Sequence, residues 1–345
     1  MSEMRCKDKY FRGSIYMICI VLLVYTCGHG TNFLIRFENG KSIESDVLLI
    51  YVYAESHPYA LANLNYFIET AVRNTDPVDY YFILQQTNHR NINESKLPKL
   101  PNNARYVHHE NECYDYGTVG WFISHFTHGN PMDSKPLPKD TRKIDLRKYK
   151  YFIFLNSSTR GPFFPPYYLN LVSLYESRLG KKYFWYSIFT ERITDTVKLV
   201  GPVISCEVST HIQSYFITTD SIGLSIGLKS QGKHGVFDCH TTLEETITYA
   251  EIGFTKRILA AGYMIDCLMT KYQNLNFNSQ KNRNCNSKTN PHLNNGIDGI
   301  SLDPYEIVFI KFTYKRNDGI AADRALIYQK WVRELQNNTA KHSKK

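Results

Sequence analysis

The chain has 345 residues, 43% apolar and 21% charged, and its 26 Tyr against 3 Trp supply large rings that bury well while keeping a hydroxyl for hydrogen bonding. That make-up excludes a disordered or fibrous protein. Of the formal charge of +9, residues 1–13 hold +2 and residues 330–345 hold +4, so the body carries little excess. No recognition module accompanies the charge, and nucleic acid is not an expected partner.

Residues 1–13 read as a basic cytosolic tail. The uncharged run Ile15 to Cys27 follows, and with Phe33, Leu34 and Ile35 it makes 14–35 a signal-anchor helix, although the run alone is shorter than the ~20 residues of a full span. A stem over 36–45 would then lead to a lumenal domain over 46–335 and a basic tail over 336–345. The expected location is the Golgi or endoplasmic reticulum membrane, as a single-pass type II protein. A cleaved signal and a secreted protein is the alternative.

Cys113, Cys206, Cys239, Cys267 and Cys285 lie in the body, an odd number that fits one or two disulfides plus a free thiol in an oxidising lumen. Sequons occur at Asn93, Asn156 and Asn337, the second ending an apolar strand pattern and so expected to be hidden.

Asp46–Tyr53 is a short apolar run without helical periodicity and reads as a buried strand, and Tyr59–Arg73 has its apolar residues spaced along one helical face. Strands are expected at Asp79–Leu84, Arg105–His108 and Lys150–Leu155, and a helix at Thr118–Phe126. Asn88–Asn103 and Gly129–Lys143 read as loops. Further on, Val197–Ile204 and Gln213–Thr219 read as strands, Ser221–Leu228 and Thr242–Ala261 as helices, and Asn274–Gly299 as a mobile loop. Glu306–Phe312 is a short apolar element, and Ala321–Leu335 a final helix. The alternation gives an α/β fold with a mixed, mostly parallel sheet flanked by helices, in one composite domain with ligands expected at the carboxyl ends of strands.

Two polar clusters fall at such ends. Asn111–Gly117 offers Asp115, a hydrogen-bond acceptor for a ribose or base, with Gly117 allowing close backbone approach; Asp115 as a helix cap is the plain alternative. Asn156–Pro162 sets Arg160 among Ser157, Ser158 and Thr159, side chains that hold phosphate through charge and hydroxyls, or else form an ordinary turn. Gly201–Asp220 carries Glu207, His211, Gln213 and Asp220, where a carboxylate can deprotonate an acceptor hydroxyl while His and Gln orient a sugar; equally they are satisfied structural partners. Glu251 stands on a helix, where solvent exposure is ordinary. No Gly-x-Ser-x-Gly elbow, phosphate-binding loop or His-Glu-x-x-His motif is present, which takes most of the support from the hydrolase and kinase readings.

The segments Cys113–Gly117, Tyr151–Phe163, Lys198–Glu207, His211–Phe216, Glu251–Gly253 and Leu302–Lys311 resemble a glycosyltransferase-like family related to the rhamnan-synthesis-F group, over residues 46 to 312. The resemblance implies an A-type glycosyltransferase (Rossmann-like) fold, a nucleotide-sugar donor, and transfer to a glycan or glycoprotein hydroxyl. Taken with the clusters above, the expected donor-binding residues are Asp115, Gly117, Asn156, Ser157 and Arg160, the expected catalytic carboxylates Glu207, Asp220 and Glu251, and the expected substrate-binding residues His211 and Gln213.

One departure stands out. A-type transferases commonly hold Mn²⁺ or Mg²⁺ with an Asp-x-Asp, and this chain has none; Asn156-Ser157-Ser158 stands at the corresponding strand end. Arg160 and other cations then replace the metal, or Asp115 and Glu207 supply carboxylates, or the protein is a carbohydrate-binding or scaffolding protein without turnover.

Overall fold

The computed structural model describes residues 45–86, 92–128, 143–229, 234–313 and 319–342, within a unit running from Glu44 to Lys345. The expected basic tail, anchor and most of the stem lie outside these residues, as do most of the Gly129–Lys143 loop and the end of the basic carboxyl tail. No helix among the described residues is long and apolar enough to cross a membrane.

Strand β1 (Val47–Tyr53) is buried along its whole length, because helices cover both sides of it and no face is left for polar alternation. It pairs in parallel with β2 (Val78–Gln86) on one side and β4 (Tyr151–Asn156) on the other, Val47 lying opposite both Val78 and Tyr151. Strand β3 (Ala104–Glu110) extends the sheet beyond β2. On the other flank come β9 (Phe216–Asp220), antiparallel to both its neighbours, then β6 (Val197–Gly201) and β10 (Met264–Cys267). The order is therefore β10-β6-β9-β4-β1-β2-β3, and β9 alone opposes the rest. After β1 the chain runs outward to β2 and β3 and returns to the far side as β4. The carboxyl ends of β1 and β4 thus border the point where the winding reverses, the usual place for a ligand crevice in an open α/β sheet.

Helix α1 (Ala60–Ala71) turns Leu64, Phe67 and Ile68 onto this sheet, the Phe67 ring lying 5.6 Å from that of Tyr51. Helix α2 (Tyr114–His128) begins four residues earlier than its apolar pattern predicts. The expected Val197–Ile204 strand breaks into β6 and β7 (Ile204–Ser205), because Pro202 has no N–H to continue a ladder. The Gln213–Thr219 strand likewise becomes β8 (His211–Ile212), paired with β7, and β9.

Helix α3 (Pro166–Leu179) and the one-turn α4 (Ser187–Thr190) were not foreseen; α3 has no fully buried residue, and only Tyr168, Val172, Tyr175 and Glu176 are half-buried along one face, a weak imprint on the sequence. Helix α5 (Ser221–Leu228) forms as expected. The long helix expected over Thr242–Ala261 consists of α6 (Leu243–Glu245), a π-helical stretch Thr246–Glu251 and α7 (Ile252–Ala260). Asn274–Gly299, expected as a mobile loop, holds a 3-10 segment Gln280–Lys288 and is tied to β7 through Cys285. Near the carboxyl end, α8 (Pro304–Ile307) leads into β11 (Ile310–Lys311), which pairs antiparallel with β5 (Thr159–Arg160), and α9 (Gly319–His342) follows.

Two disulfides, Cys113–Cys239 and Cys206–Cys285, close loops of 126 and 79 residues in sequence separation, while Cys267 stays a buried thiol. The first bond clamps the start of α2 to the 235–239 segment, and two glycines make that approach possible. A Cβ on Gly117 would lie 2.6 Å from the Cys113 Cβ, and one on Gly120 only 1.9 Å from the Phe237 carbonyl oxygen. Gly117 therefore admits the protein's own backbone.

Gly120→Ala is expected to destabilise the unit by about 1–3 kcal/mol through overpacking, read as a lower urea midpoint at unchanged slope. A midpoint equal to that of the parent protein would contradict the packing described.

Candidate functional site

The central strand β4 ends in Asn156, and this amide is the first functional group beyond the apolar core. Its Nδ2 donates to Asp115 Oδ2 at 2.6 Å, and its Oδ1 accepts from the Ser158 N–H at 3.1 Å and from the Ser158 hydroxyl. The end of β4 and the start of α2 are thereby joined at the crevice. Gln85, buried at the end of β2, holds the same helix start by donating to the Tyr114 carbonyl at 3.1 Å and the Thr118 hydroxyl at 2.7 Å. Tyr114 has φ +50°, a conformation that costs a non-glycine residue on the order of 1 kcal/mol or more and is tolerated when its surroundings fix it. The sequon at Asn156 is thus half-buried and engaged within the fold.

A second carboxylate reaches this place. Glu251 ends the π-helical stretch, a distortion that re-aims the side chains following it and recurs at functional sites. It is half-buried, and burial, followed by the negative charge of Asp115, raises its pKa above the ordinary carboxylate value. A hydrogen bond from Ser214 and the positive charge of Lys311 act against that rise. The Tyr116 phenol, buried beneath both carboxylates, is pushed far up by burial and then by their charges. A narrow notch lined by Val52, Asp115, Leu155, Ser214 and Phe237 opens here.

Lys311 supplies the cation. It sits on β11 directly opposite Thr159, just after Asn156–Ser158, and the Phe312 N–H bonds the Ser158 carbonyl at 2.6 Å. Its ammonium makes no ion pair or hydrogen bond among the described residues, while its charge is felt by Glu251, His211 and His292. The preceding Val308 has φ +64°, a strained conformation for a β-branched residue, at the turn that delivers β11 to this position. His211 is buried; its Nδ1 donates to the Ser209 carbonyl at 2.7 Å, and burial, then Lys311, lowers its pKa. Gln213 lies beside it, 3.5 Å from its Nε2.

Of the residues expected from sequence, Asp115, Asn156 and Glu251 come together at this edge, with Ser157 beside them; His211 feels the charge of Lys311, and Gln213 lies next to His211. Three others do not. Glu207 is exposed at the β7–β8 turn. Asp220 ends β9, and because that strand runs antiparallel it lies opposite Tyr151, at the other edge of the sheet; there it caps α5 through Gly223 at 2.9 Å and pairs with Lys198 at 2.7 Å. Arg160 is next to Thr159 in the β5–β11 ribbon, and alternation along a strand turns it to the face opposite Lys311. It is buried there against the Phe312 ring, with Nε donating to Asn63 Oδ1 at 2.7 Å, and burial lowers its pKa to about 10.

Ser214 and Lys311 were not singled out from sequence. The lone cation closing the apolar run Glu306–Phe312 is the signal that marks Lys311.

Among the described residues no group of three or more His, Cys, Asp or Glu is placed to hold a metal ion. Asp115 and Glu251 supply two carboxylates, one of them already bonded to Asn156, and the charge of Lys311 acts on Glu251; this donor set fits a protein-held Mn²⁺ or Mg²⁺ poorly.

No protein-family model and no curated protein sequence matches the chain. Among solved structures, the apo form of mouse xyloside xylosyltransferase 1 aligns with 80% of this chain and 99% of that chain, at 10% sequence identity and a TM-score of 0.34.

Next to this cluster the His292 Nε2 is shut off from water and has no hydrogen-bond partner among the described residues, and burial, then Lys311 and His211, lowers the ring's pKa to about 3 from 6.5. A base whose pKa falls on folding binds its proton more readily in the unfolded chain. Stability is therefore complete above about pH 6.5 and lost as pH falls toward 3, with a slope approaching about 1.4 kcal/mol per pH unit. Glu251, raised on folding, acts in the opposite sense. Urea titrations from pH 7 to 5 are expected to show His292→Gln losing less stability than the parent protein, and parallel pH curves would contradict the assignment.

Proposed function

We propose that the unit over 46–335 is a glycosyltransferase that moves a sugar from a nucleotide-sugar donor to a hydroxyl of a glycan or glycoprotein. The observation that carries this reading is the meeting of Asp115, Asn156, Glu251 and Lys311 at the carboxyl ends of β1 and β4, the reversal point of a mostly parallel sheet. The A-type arrangement and the kinship with the rhamnan-synthesis-F group belong to the same reading. Six parallel strands with one antiparallel strand support the first, and the quoted motifs support the second. So does placement in the secretory pathway behind an anchor over 14–35, for which the two disulfides speak.

In this mechanism the Glu251 carboxylate takes the proton of the acceptor hydroxyl as its oxygen bonds to the anomeric carbon. The bond from that carbon to the diphosphate breaks, its electron pair leaving with the nucleotide. A raised pKa suits Glu251 to this task, because a base works best when its pKa lies near the working pH. The ammonium of Lys311, without a carboxylate partner among the described residues, neutralises the charge developing on the diphosphate, the task a divalent ion performs elsewhere. Asp115, oriented by Asn156, accepts hydrogen bonds from donor hydroxyls, and His211 and Gln213 border the acceptor.

Incubating the full chain with a panel of nucleotide sugars is expected to give transfer or donor hydrolysis that persists in a chelator. Glu251→Gln should lower kcat by about 10²–10⁴ and abolish the acid limb of its pH profile. Lys311→Gln should lower kcat by about 10²–10³. Absence of turnover with every donor, or full activity in folded Glu251→Gln protein, would refute the reading.

A further inference from the structure

Arg160 presents a separate problem. Its side chain is 4% exposed, yet no carboxylate lies within ion-pair distance of its guanidinium among the described residues. It has Asn63 Oδ1 on Nε and a long 3.4 Å bond from Nη1 to Gln329 Oε1, while Nη2 has no hydrogen bond there. The Phe312 ring at 4.1 Å supports the cation without cancelling its charge. A buried charge left in that condition is costly, and a protein ordinarily avoids it by pairing.

The guanidinium forms part of the wall of a hollow of about 510 Å³ between α1 and α9. The acidic residues of that hollow are already taken: Glu69 faces Arg333 at 3.7 Å and Glu334 faces Lys330 at 3.9 Å, so Arg160 is the unmatched charge. Around it stand Asn65, Tyr66 and Gln329, neutral groups that hydrogen-bond hydroxyls. The hollow has room for more than a bare ion, within the size range of small-molecule sites.

We propose that this α1–α9 hollow binds an anionic sugar, its carboxylate, sulfate or phosphate seated on Arg160 and its hydroxyls on Asn65 and Gln329. The site lies on the face of the β5–β11 ribbon opposite Lys311 and does not depend on the transferase reading.

The test is calorimetric titration of the full chain, produced without N-glycans because the Asn337 sequon borders the hollow. The probes are glucuronic acid, glucose 6-sulfate and glucose 6-phosphate, against glucose and inorganic sulfate. Saturable binding of at least one acidic sugar is expected, weaker by about 10- to 100-fold for glucose, and weakened by a similar factor in Arg160→Gln. The acidic sugar preferred identifies the anion. No binding of any probe, equal binding of glucose, or unchanged affinity in Arg160→Gln would overturn the proposal, and inorganic sulfate binding as tightly as glucose 6-sulfate would overturn its sugar part. Should Arg160→Gln not fold, Lys330→Glu on the exposed rim replaces it: weaker binding of the acidic sugar supports the site, and unchanged binding overturns it.

Discussion

Asn156 uses both ends of its amide where the central strand leaves the core, donating to Asp115 and accepting from Ser158. The four residues before it, Phe152 to Leu155, are apolar and buried, so Asn156 is where the strand leaves the core and can carry a polar function at a smaller desolvation penalty. The bond fixes the start of α2 relative to the β4–β5 turn, and that turn places β5, against which β11 lines up Lys311. A single side-chain amide thus links three segments that are distant in sequence.

The supports around this link are redundant. Gln85 holds the start of α2 from β2, and the Cys113–Cys239 bond holds it from the opposite side, with Gly117 and Gly120 bare so that the backbones can touch. Asn63, fully buried in α1, donates to the carbonyls of Ser157 and Phe312 at 2.8 and 3.0 Å and accepts from Arg160, stitching α1, the turn and β11 together. Such a second layer of bonds keeps Asp115 and Lys311 in place while leaving their charged ends unpaired with one another. Burial of Glu251 raises its carboxyl, and the like charge of Asp115, held near it by the same scaffold, adds to the rise.

Much of this fold is legible in the sequence because burial writes a plain pattern. Strands β1 and β4 are continuous apolar runs, and α5 follows Asp220, whose side chain caps it. What the sequence hides are the elements that burial does not shape. Helix α3 has no fully buried residue, β10 is only four residues long, and the 274–299 segment is ordered by a disulfide and turn hydrogen bonds. The candidate site is legible by halves. Asp115 and Asn156 could be found from strand ends alone, since parallel strands deliver their carboxyl ends to one edge. Asp220 misleads for the same reason, because only the direction of β9 sends it to the other edge. Arg160 misleads through alternation, one residue's step turning it to the opposite face from Thr159. Lys311 shows in the sequence only as the one cation in an apolar run, and its place at the site emerges when its two-residue strand finds its partner.

Hydrogen–deuterium exchange of the full chain, with and without saturating nucleotide sugars, tests the shared cleft most directly. The account predicts that a productive donor slows exchange together at residues 113–118, 156–159, 249–252 and 309–312, which lie far apart in sequence. Protection confined to the face between α1 and α9, or absent from these four segments with every donor, would contradict it.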